Sequence, residues 1–260
     1  MPETLQTIQL HKRDGILMIT LNRPDAYNAL TETMTAELTQ AFRNVAGASD
    51  IRCVVVTGAG KAFCAGEDLQ GVTDDTDYAA LLRARYHPMM EALKKVPQPV
   101  VAAVNGVAAG AGMSLALACD FRLAHKKSSF VSAFMNIGLV PDFGMMYTLP
   151  RLVGYAKALE ITVLGQPIDG KKAMELGLIT EWVEMDEWES GIEVFCEKLA
   201  SLPTTAISLI KRYMMDAMNE PLDGLLEKEA EAQRVAGESA DHKEGVRAFV
   251  EKRKPFFKGK

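Results

Sequence analysis

Residues 98–120, QPVVAAVNGVAAGAGMSLALACD, constrain this chain more than any other stretch. An apolar, β-branched run from Pro99 to Val104 meets Asn105-Gly106. Small residues follow, Ala108-Ala109-Gly110-Ala111-Gly112, and then an apolar run from Met113 to Cys119. This order reads as a buried strand, a tight turn and the N-terminus of a buried helix. The first turn of a helix cannot satisfy its own backbone N–H groups. With almost no side chain in the way, a negative group can approach them closely.

The segments on either side supply the framework such an element needs. Residues 4–10 and 15–21 read as two strands around a turn at Arg13-Asp14-Gly15. Asn28 or Thr31 then caps a helix reaching about Val45. IRCVVVT at 51–57 is a continuous apolar, β-branched run, the pattern of a strand covered on both faces. A helix is expected over 78–96, bent or split by Pro88. Short strands follow at 121–124 and 129–131. A turn from Gly138 to Gly144 leads into a helix at 145–152, and a short helix at 171–176 is closed by Gly177. Strand-then-helix units recur near residues 16, 51 and 99, as in a stack or spiral of similar units. From Asp186 the pattern is helical only, at 186–200, 204–218, 222–238 and 241–253. Asp241 and Glu244 fit a capping box for the last of these. The expectation is an α/β core over residues 1–185 and a helical region over 186–260.

Composition narrows the partners. At 260 residues the chain can bury a large core, and its net charge of -5 gives no reason to expect nucleic acid or an anionic membrane. No apolar stretch is long enough for a membrane span, and the N-terminus lacks the basic-then-apolar plan of a signal peptide. Cys53, Cys64, Cys119 and Cys196 form no C-x-x-C pair, and three of them sit in apolar runs. Buried reduced thiols and a cytoplasmic location are expected, with no metal site.

Several residues are candidates for chemistry. The glycines of GAGKAFCAG (58–66) and GAGMSL (110–115) suggest phosphate loops. Neither stretch has the P-loop spacing or completes G-x-G-x-x-G. The loops have another use if their preceding strands are neighbours. Backbone N–H groups from Ala65-Gly66-Glu67-Asp68 and from Gly110-Ala111-Gly112 then converge on one oxygen, as in an oxyanion hole. Tight turns and close helix packing explain the same glycines, so both readings stand at this point. Ser114 is not in a G-x-S-x-G elbow, and Cys119 with His125 makes a poor nucleophile and base pair. Asp74, Asp75 and Asp77 read as a solvated loop, and the basic C-terminal run as a solvated helix end. Asp142 is a lone carboxylate in the apolar segment IGLVPDFGMMYTL. It is either the cap of the following helix or a partly desolvated general base.

Taken together, Leu21-Asn22-Arg23-Pro24 with Asn28-Ala29-Leu30, Gly58-x-Gly60-x-Ala62-Phe63-Cys64-Ala65-Gly66-x-Asp68-Leu69, and Pro99-Val-Val-Ala-Ala-Val-Asn105-Gly106 resemble the enoyl-CoA hydratase/isomerase (crotonase) superfamily. Gly138-Leu-Val-Pro141-Asp142, Leu149-Pro-Arg-Leu-Val-Gly154, Ala173-x-Glu-Leu-Gly177-Leu and Glu244-Gly-Val-Arg-Ala-Phe249 continue the match over nearly the whole chain. The resemblance implies a crotonase-like spiral of ββα units with an α-helical C-terminal trimerisation region. It implies a homotrimer or homohexamer, an acyl-CoA thioester as substrate and no separate cofactor. By position it places the oxyanion hole at the N–H groups of Glu67 and Ala111, and the CoA adenine against the loop Ala65, Gly66, Glu67, Asp68 and Leu69. It asks no chemistry of those side chains.

Two departures favour one branch. Where hydratases of the superfamily carry two glutamates, this chain has Ser114 and Phe134. Hydration needs one group to deprotonate water and usually a second to supply a proton. Moving a double bond needs a single acid/base, and Asp142 sits where isomerases resembling those of phenylacetate pathways carry theirs. That branch shifts Δ3 enoyl-CoA to Δ2 or opens a ring-epoxide phenylacetyl-CoA. A glycine commonly follows Gly144 there, and this chain has Met145. Hydration through Glu67 or a Ser114-held water, and a catalytically weak acyl-CoA-binding subunit, are the alternatives.

Overall fold

The computed structural model describes residues 3–260. The chain opens with β1 (Glu3–Thr4), β2 (Ile8–Arg13) and β3 (Ile16–Leu21), followed by α1 (Glu32–Ala46). Then come β4 (Cys53–Gly58) and β5 (Ala62–Cys64), α2 (Tyr78–Leu81), a widened helical turn at Leu82–Tyr86, and α3 (His87–Lys94). The central stretch forms β6 (Val100–Val104), β7 (Val107–Ala109) and α4 (Ala111–Ala118). It continues into β8 (Phe121–Ala124), β9 (Ser129–Val131), α5 (Met145–Val153) and α6 (Tyr155–Leu164). β10 (Ile168–Asp169), α7 (Gly170–Glu175) and β11 (Glu181–Trp182) complete the sheets. α8 (Trp188–Ala200), α9 (Thr204–Ala217), α10 (Leu222–Glu238) and α11 (Ala240–Val250) follow.

The strands sort into two sheets. Seven form one sheet in the order β1-β2-β3-β4-β6-β8-β11, and four form another in the order β10-β9-β7-β5. Each of β4, β6 and β8 lies in the large sheet and is followed at once by a strand of the small one, then by helix. The units therefore repeat side by side, with β4, β6 and β8 parallel in one sheet and β5, β7 and β9 parallel in the other. This is the expected spiral of ββα units.

The two-sided burial of the central strands explains their composition. Val54 and Val56 of β4, with Val100, Ala102 and Val104 of β6, join the main core with Met34, Leu38 and Phe42 of α1. Cys53 and Val55, with Val101 and Ala103, face the other way onto Ile192, Cys196 and Leu199 of α8. A strand covered on both faces has no polar alternation to show. All four cysteines are free and buried.

Several local expectations are corrected. Thr31, not Asn28, caps α1, its hydroxyl accepting from the Met34 N–H at 3.2 Å. Asn28 is wholly buried in the left-handed region at φ 58°. Its amide donates to the Ala59 and Ala62 carbonyls, at 2.9 Å each. The helix expected over 78–96 with a bend or split at Pro88 does divide there: the widened turn ends just before α3, and Pro88 lies in the first turn of α3 where a missing N–H is harmless. Ser239 caps α11, accepting from the His242 N–H at 3.0 Å, so the Asp241–Glu244 capping box does not form. Asp241 is buried and accepts the Lys258 and Gly259 N–H groups, while Glu244 pairs with Arg253. His125 opens the turn to Ser128, whose N–H donates to its carbonyl at 2.9 Å, and its buried ring lies edge-on to Trp188 with centroids 4.5 Å apart.

Candidate active site

The strand order meets the condition on which convergence of the two glycine loops depends. β5 and β7 are neighbours in the small sheet, so the loops that leave them lie side by side. Leu30 makes a parallel bridge to Glu67: its N–H donates to Gly66 O at 2.7 Å, and its carbonyl accepts from the Asp68 N–H at 3.0 Å. Extended backbone alternates its hydrogen-bonding groups, so the Glu67 N–H faces away from Leu30. A methyl group placed on Gly66 would sit 3.3 Å from Ala111 N and 2.9 Å from Ala109 O. Gly66 adopts φ +97°, so it supplies both the conformation and the clearance.

Ala111 is the first residue of α4, and its N–H is one that the helix cannot satisfy. Neither it nor the Glu67 N–H donates to a backbone oxygen of the described residues. Gly112 closes the arrangement, since a Cβ there would fall 2.1 Å from Cys64 O. The N-terminus of α4 can thus lie directly on the end of β5 only if residue 112 has no side chain.

Asp142 does not cap α5. Gly144 takes the N-cap position at φ 76°, and the Met145 N–H is met by the backbone carbonyl of Asp142 at 2.9 Å. One carboxylate oxygen, Oδ1, is buried without a hydrogen-bond partner. Burial first, and then the charge of Glu67, push this carboxyl up to about 7 from an ordinary 3.8, with a backbone hydrogen bond pulling the other way. That is the range in which one group both accepts and returns a proton at neutral pH.

The Glu67 side chain is not idle. Arg85 holds it with two bonds, from Nη1 to Oε1 at 2.9 Å and from Nη2 to Oε2 at 3.2 Å. The Tyr86 hydroxyl also donates to Oε2. Burial and the adjacent Glu67 push the Tyr86 phenol well above its usual range, so it stays a donor. The Tyr86 ring meets Phe143 edge-on with centroids 5.8 Å apart. Arg85 and Tyr86 were not among the residues singled out in the sequence. Both sit in the widened turn, and nothing in LLRARYHP distinguishes a clamp from an amphipathic helix.

The positions that carry glutamates in hydratases are sealed. Ser114 is wholly buried on α4, its hydroxyl donating to Gly110 O at 3.3 Å. Phe134 is buried beside Gly110. The loop expected to meet the adenine is pinned from behind, with Arg23 paired to Asp68 at 2.8 Å and Ala65 N–H bonded to Tyr27 O at 3.0 Å. Leu69 stands half exposed at its rim. Among the described residues no group of three or more His, Cys, Asp or Glu is placed to hold a metal ion, and no helix is long and apolar enough to cross a membrane.

Comparison with known proteins decides the lineage. The family model described as enoyl-CoA hydratase/isomerase matches residues 11–260. The chain belongs to the enoyl-CoA hydratase/isomerase family. Relatives within the family carry different activities. A 1,2-epoxyphenylacetyl-CoA isomerase of Escherichia coli is 39% identical over 98% of this chain and 100% of its own length. A probable enoyl-CoA hydratase of Rhodobacter capsulatus is 40% identical, covering 98% of both chains. The crystal structure of a putative enoyl-CoA hydratase/isomerase from Mycobacterium abscessus superposes with a TM-score of 0.91 at 39% identity, covering 97% of this chain and 100% of that one. The family thus gives an enzyme of the enoyl-CoA hydratase/isomerase class, and the named relatives include both isomerases and hydratases.

Proposed function

We propose that this family member is an acyl-CoA isomerase that uses Asp142 as its single acid/base. The thioester carbonyl accepts from the Glu67 and Ala111 N–H groups. Asp142 takes a proton from the carbon beside that carbonyl, and the resulting dienolate is held by the same two donors. The acid then returns its proton two carbons further along. One oxyanion-hole donor typically contributes about 2.7–4 kcal/mol to such a barrier, and a general base about 10²–10⁴-fold. A proton shift of this kind changes no oxidation state, so the reading calls for no cofactor beyond the thioester substrate itself.

The observation that carries this reading is that Asp142 Oδ1 is buried without a hydrogen-bond partner, while Ser114 and Phe134 are buried in the core. The substrate classes favoured are Δ3-enoyl-CoA thioesters and ring-epoxide phenylacetyl-CoA thioesters. A second reading, hydration, draws support from Glu67 and Asp142 being two carboxyl groups within each other's field. Incubation with a Δ3-enoyl-CoA, a ring-epoxide phenylacetyl-CoA and crotonyl-CoA in H₂¹⁸O, followed by mass spectrometry, tests both. Isomerised product of unchanged mass and free of label supports the isomerase. A labelled hydroxyacyl-CoA from crotonyl-CoA overturns it in favour of hydration.

We also propose assembly as a homotrimer or homohexamer through the C-terminal helices, in a reducing, cytoplasmic setting. Supporting this are exposed apolar side chains on α9, α10 and α11, among them Met214 at 69%, Leu226 at 54% and Phe249 at 86% exposure. Apolar surface of this kind on a single chain favours burial against another.

A further inference from the structure

The Glu67 carboxylate has no assigned task in the isomerisation, which draws only on the Glu67 backbone. Yet it is one of the most tightly held groups near the site. Arg85 grips both of its oxygens, Tyr86 donates to one of them, and Arg85 and Glu67 have side-chain exposures of only 15% and 17%. Tyr86 is buried and leans its ring on Phe143, the residue after Asp142. Phe143 adopts φ 45° and Gly144 φ 76°, so the Asp142 turn has a backbone shape that its neighbours must hold. The clamp and the acid are thus two faces of one packed unit.

We propose that the Glu67 side chain is a positioning residue: clamped by Arg85 and by Tyr86, whose ring packs on Phe143, its negative charge opposes ionisation of Asp142 and so makes the ionised carboxylate a stronger base. This rests on Asp142 being the acid/base of the proposed isomerisation. The physical argument is that of two like charges in a poorly solvated site. Arg85 and Tyr86 stabilise the negative charge on Glu67, so the second negative charge, on Asp142, becomes the costly one. Asp142 then gains basicity when ionised. A carboxylate at its ordinary acidity would be a weak base toward a carbon acid.

Among the described residues, Glu67 is the charged group that acts on Asp142. Glu67 comes from the loop after β5, with Arg85 and Tyr86 of the widened turn behind it. α3 sets Met90 against Gly144, and α5 begins with buried Met145. Asp142 in turn raises the Tyr86 phenol, as expected if the three groups share one field.

The test is a titration of Asp142 in the intact protein, read by the carboxyl carbon in ¹³C NMR with D142N as the assignment control. It is accompanied by the pH dependence of kcat/KM on the best acyl-CoA substrate. In the parent protein the midpoint is expected near 7. E67Q should lower it by about one unit or more, and should move the acidic limb of the kcat/KM profile by the same amount. E67D, which keeps the charge, should restore most of the shift, and E67Q/R85M should retain the lowered midpoint because both charges are gone. If E67Q folds and its Asp142 midpoint stays where the parent's is, the proposal is overturned. An E67D midpoint equal to that of E67Q also overturns it, because shape rather than charge would then be responsible. Should the midpoint shift as expected while D142N still isomerises, the charge argument stands and the assignment of Asp142 as acid/base falls.

Discussion

Replacing Asp142 with Asn exchanges one oxygen for one amide nitrogen and keeps the shape of the side chain. Because Oδ1 has no partner, the change breaks no hydrogen bond at that atom. Two consequences follow, of opposite sign. In the proposed isomerisation catalysis loses its base, a loss of about 10²–10⁴-fold in kcat, or about 2.7–5.4 kcal/mol of barrier. Stability rises, in a pH-dependent way. The carboxyl titrates near 3.8 when unfolded and near 7 when folded. As pH rises past 3.8 the unfolded chain ionises and the folded one does not, so folding stability falls until about pH 7 and stays low above it. At 1.36 kcal/mol per unit this amounts to about 4 kcal/mol at pH 8 and about 1.6 kcal/mol at pH 5. D142N does not ionise and escapes the loss, less about 1–3 kcal/mol for a buried amide without partners. Thermal unfolding should therefore show D142N higher than the parent by several degrees at pH 8, and close to it at pH 5. Turnover within about tenfold of the parent, or the same melting offset at both pH values, would refute the reasoning.

Three further outcomes follow from geometry. Gly112→Ala places a methyl group 2.1 Å from Cys64 O, so it should cost about 1–3 kcal/mol in thermal melts and abolish isomerisation by separating the two N–H groups. Asn28→Ala strips the Ala59 carbonyl and the Arg23 N–H of their partner and leaves the Ala62 carbonyl only the Asn105 amide. A loss of about 1–3 kcal/mol per stranded buried group should appear in urea unfolding. If the proposed trimer or hexamer forms through these helices, Met214→Glu combined with Leu226→Glu should convert it to monomers in sedimentation while leaving the far-ultraviolet circular dichroism unchanged.

The legibility of the sequence varied with the physics behind each residue. β4 and β6 were readable because burial on both faces leaves an uninterrupted apolar run, and α4 because every side chain on it is apolar or small. The pairing of the two glycine loops was readable only as a condition, since it depended on β5 lying beside β7. Strands of three residues leave no periodicity to register. Asp142 stood out because a carboxylate is rare in such surroundings, yet cap and base look alike until Gly144 is seen taking the cap. The clamp on Glu67 was illegible for a different reason. It joins residues 18 and 19 positions apart through a widened helical turn. Asp241 misled because its spacing to Glu244 imitates a cap, whereas its carboxylate in fact binds the C-terminal tail.

The proposed oxygen-binding groups at Glu67 and Ala111 are peptide N–H groups, and this has a consequence for how the site can change. Every amino acid except proline encodes the same N–H. A scan of all substitutions but proline at Ala111 would therefore report on side-chain fit, and would pass over the hydrogen-bond donor altogether. Only a change to the chain itself, such as a proline or an ester in place of the amide, would expose it. Inheritance of this catalytic feature runs through the path of the backbone, so a lineage can rewrite its acids and pocket walls without ever putting the donor at risk.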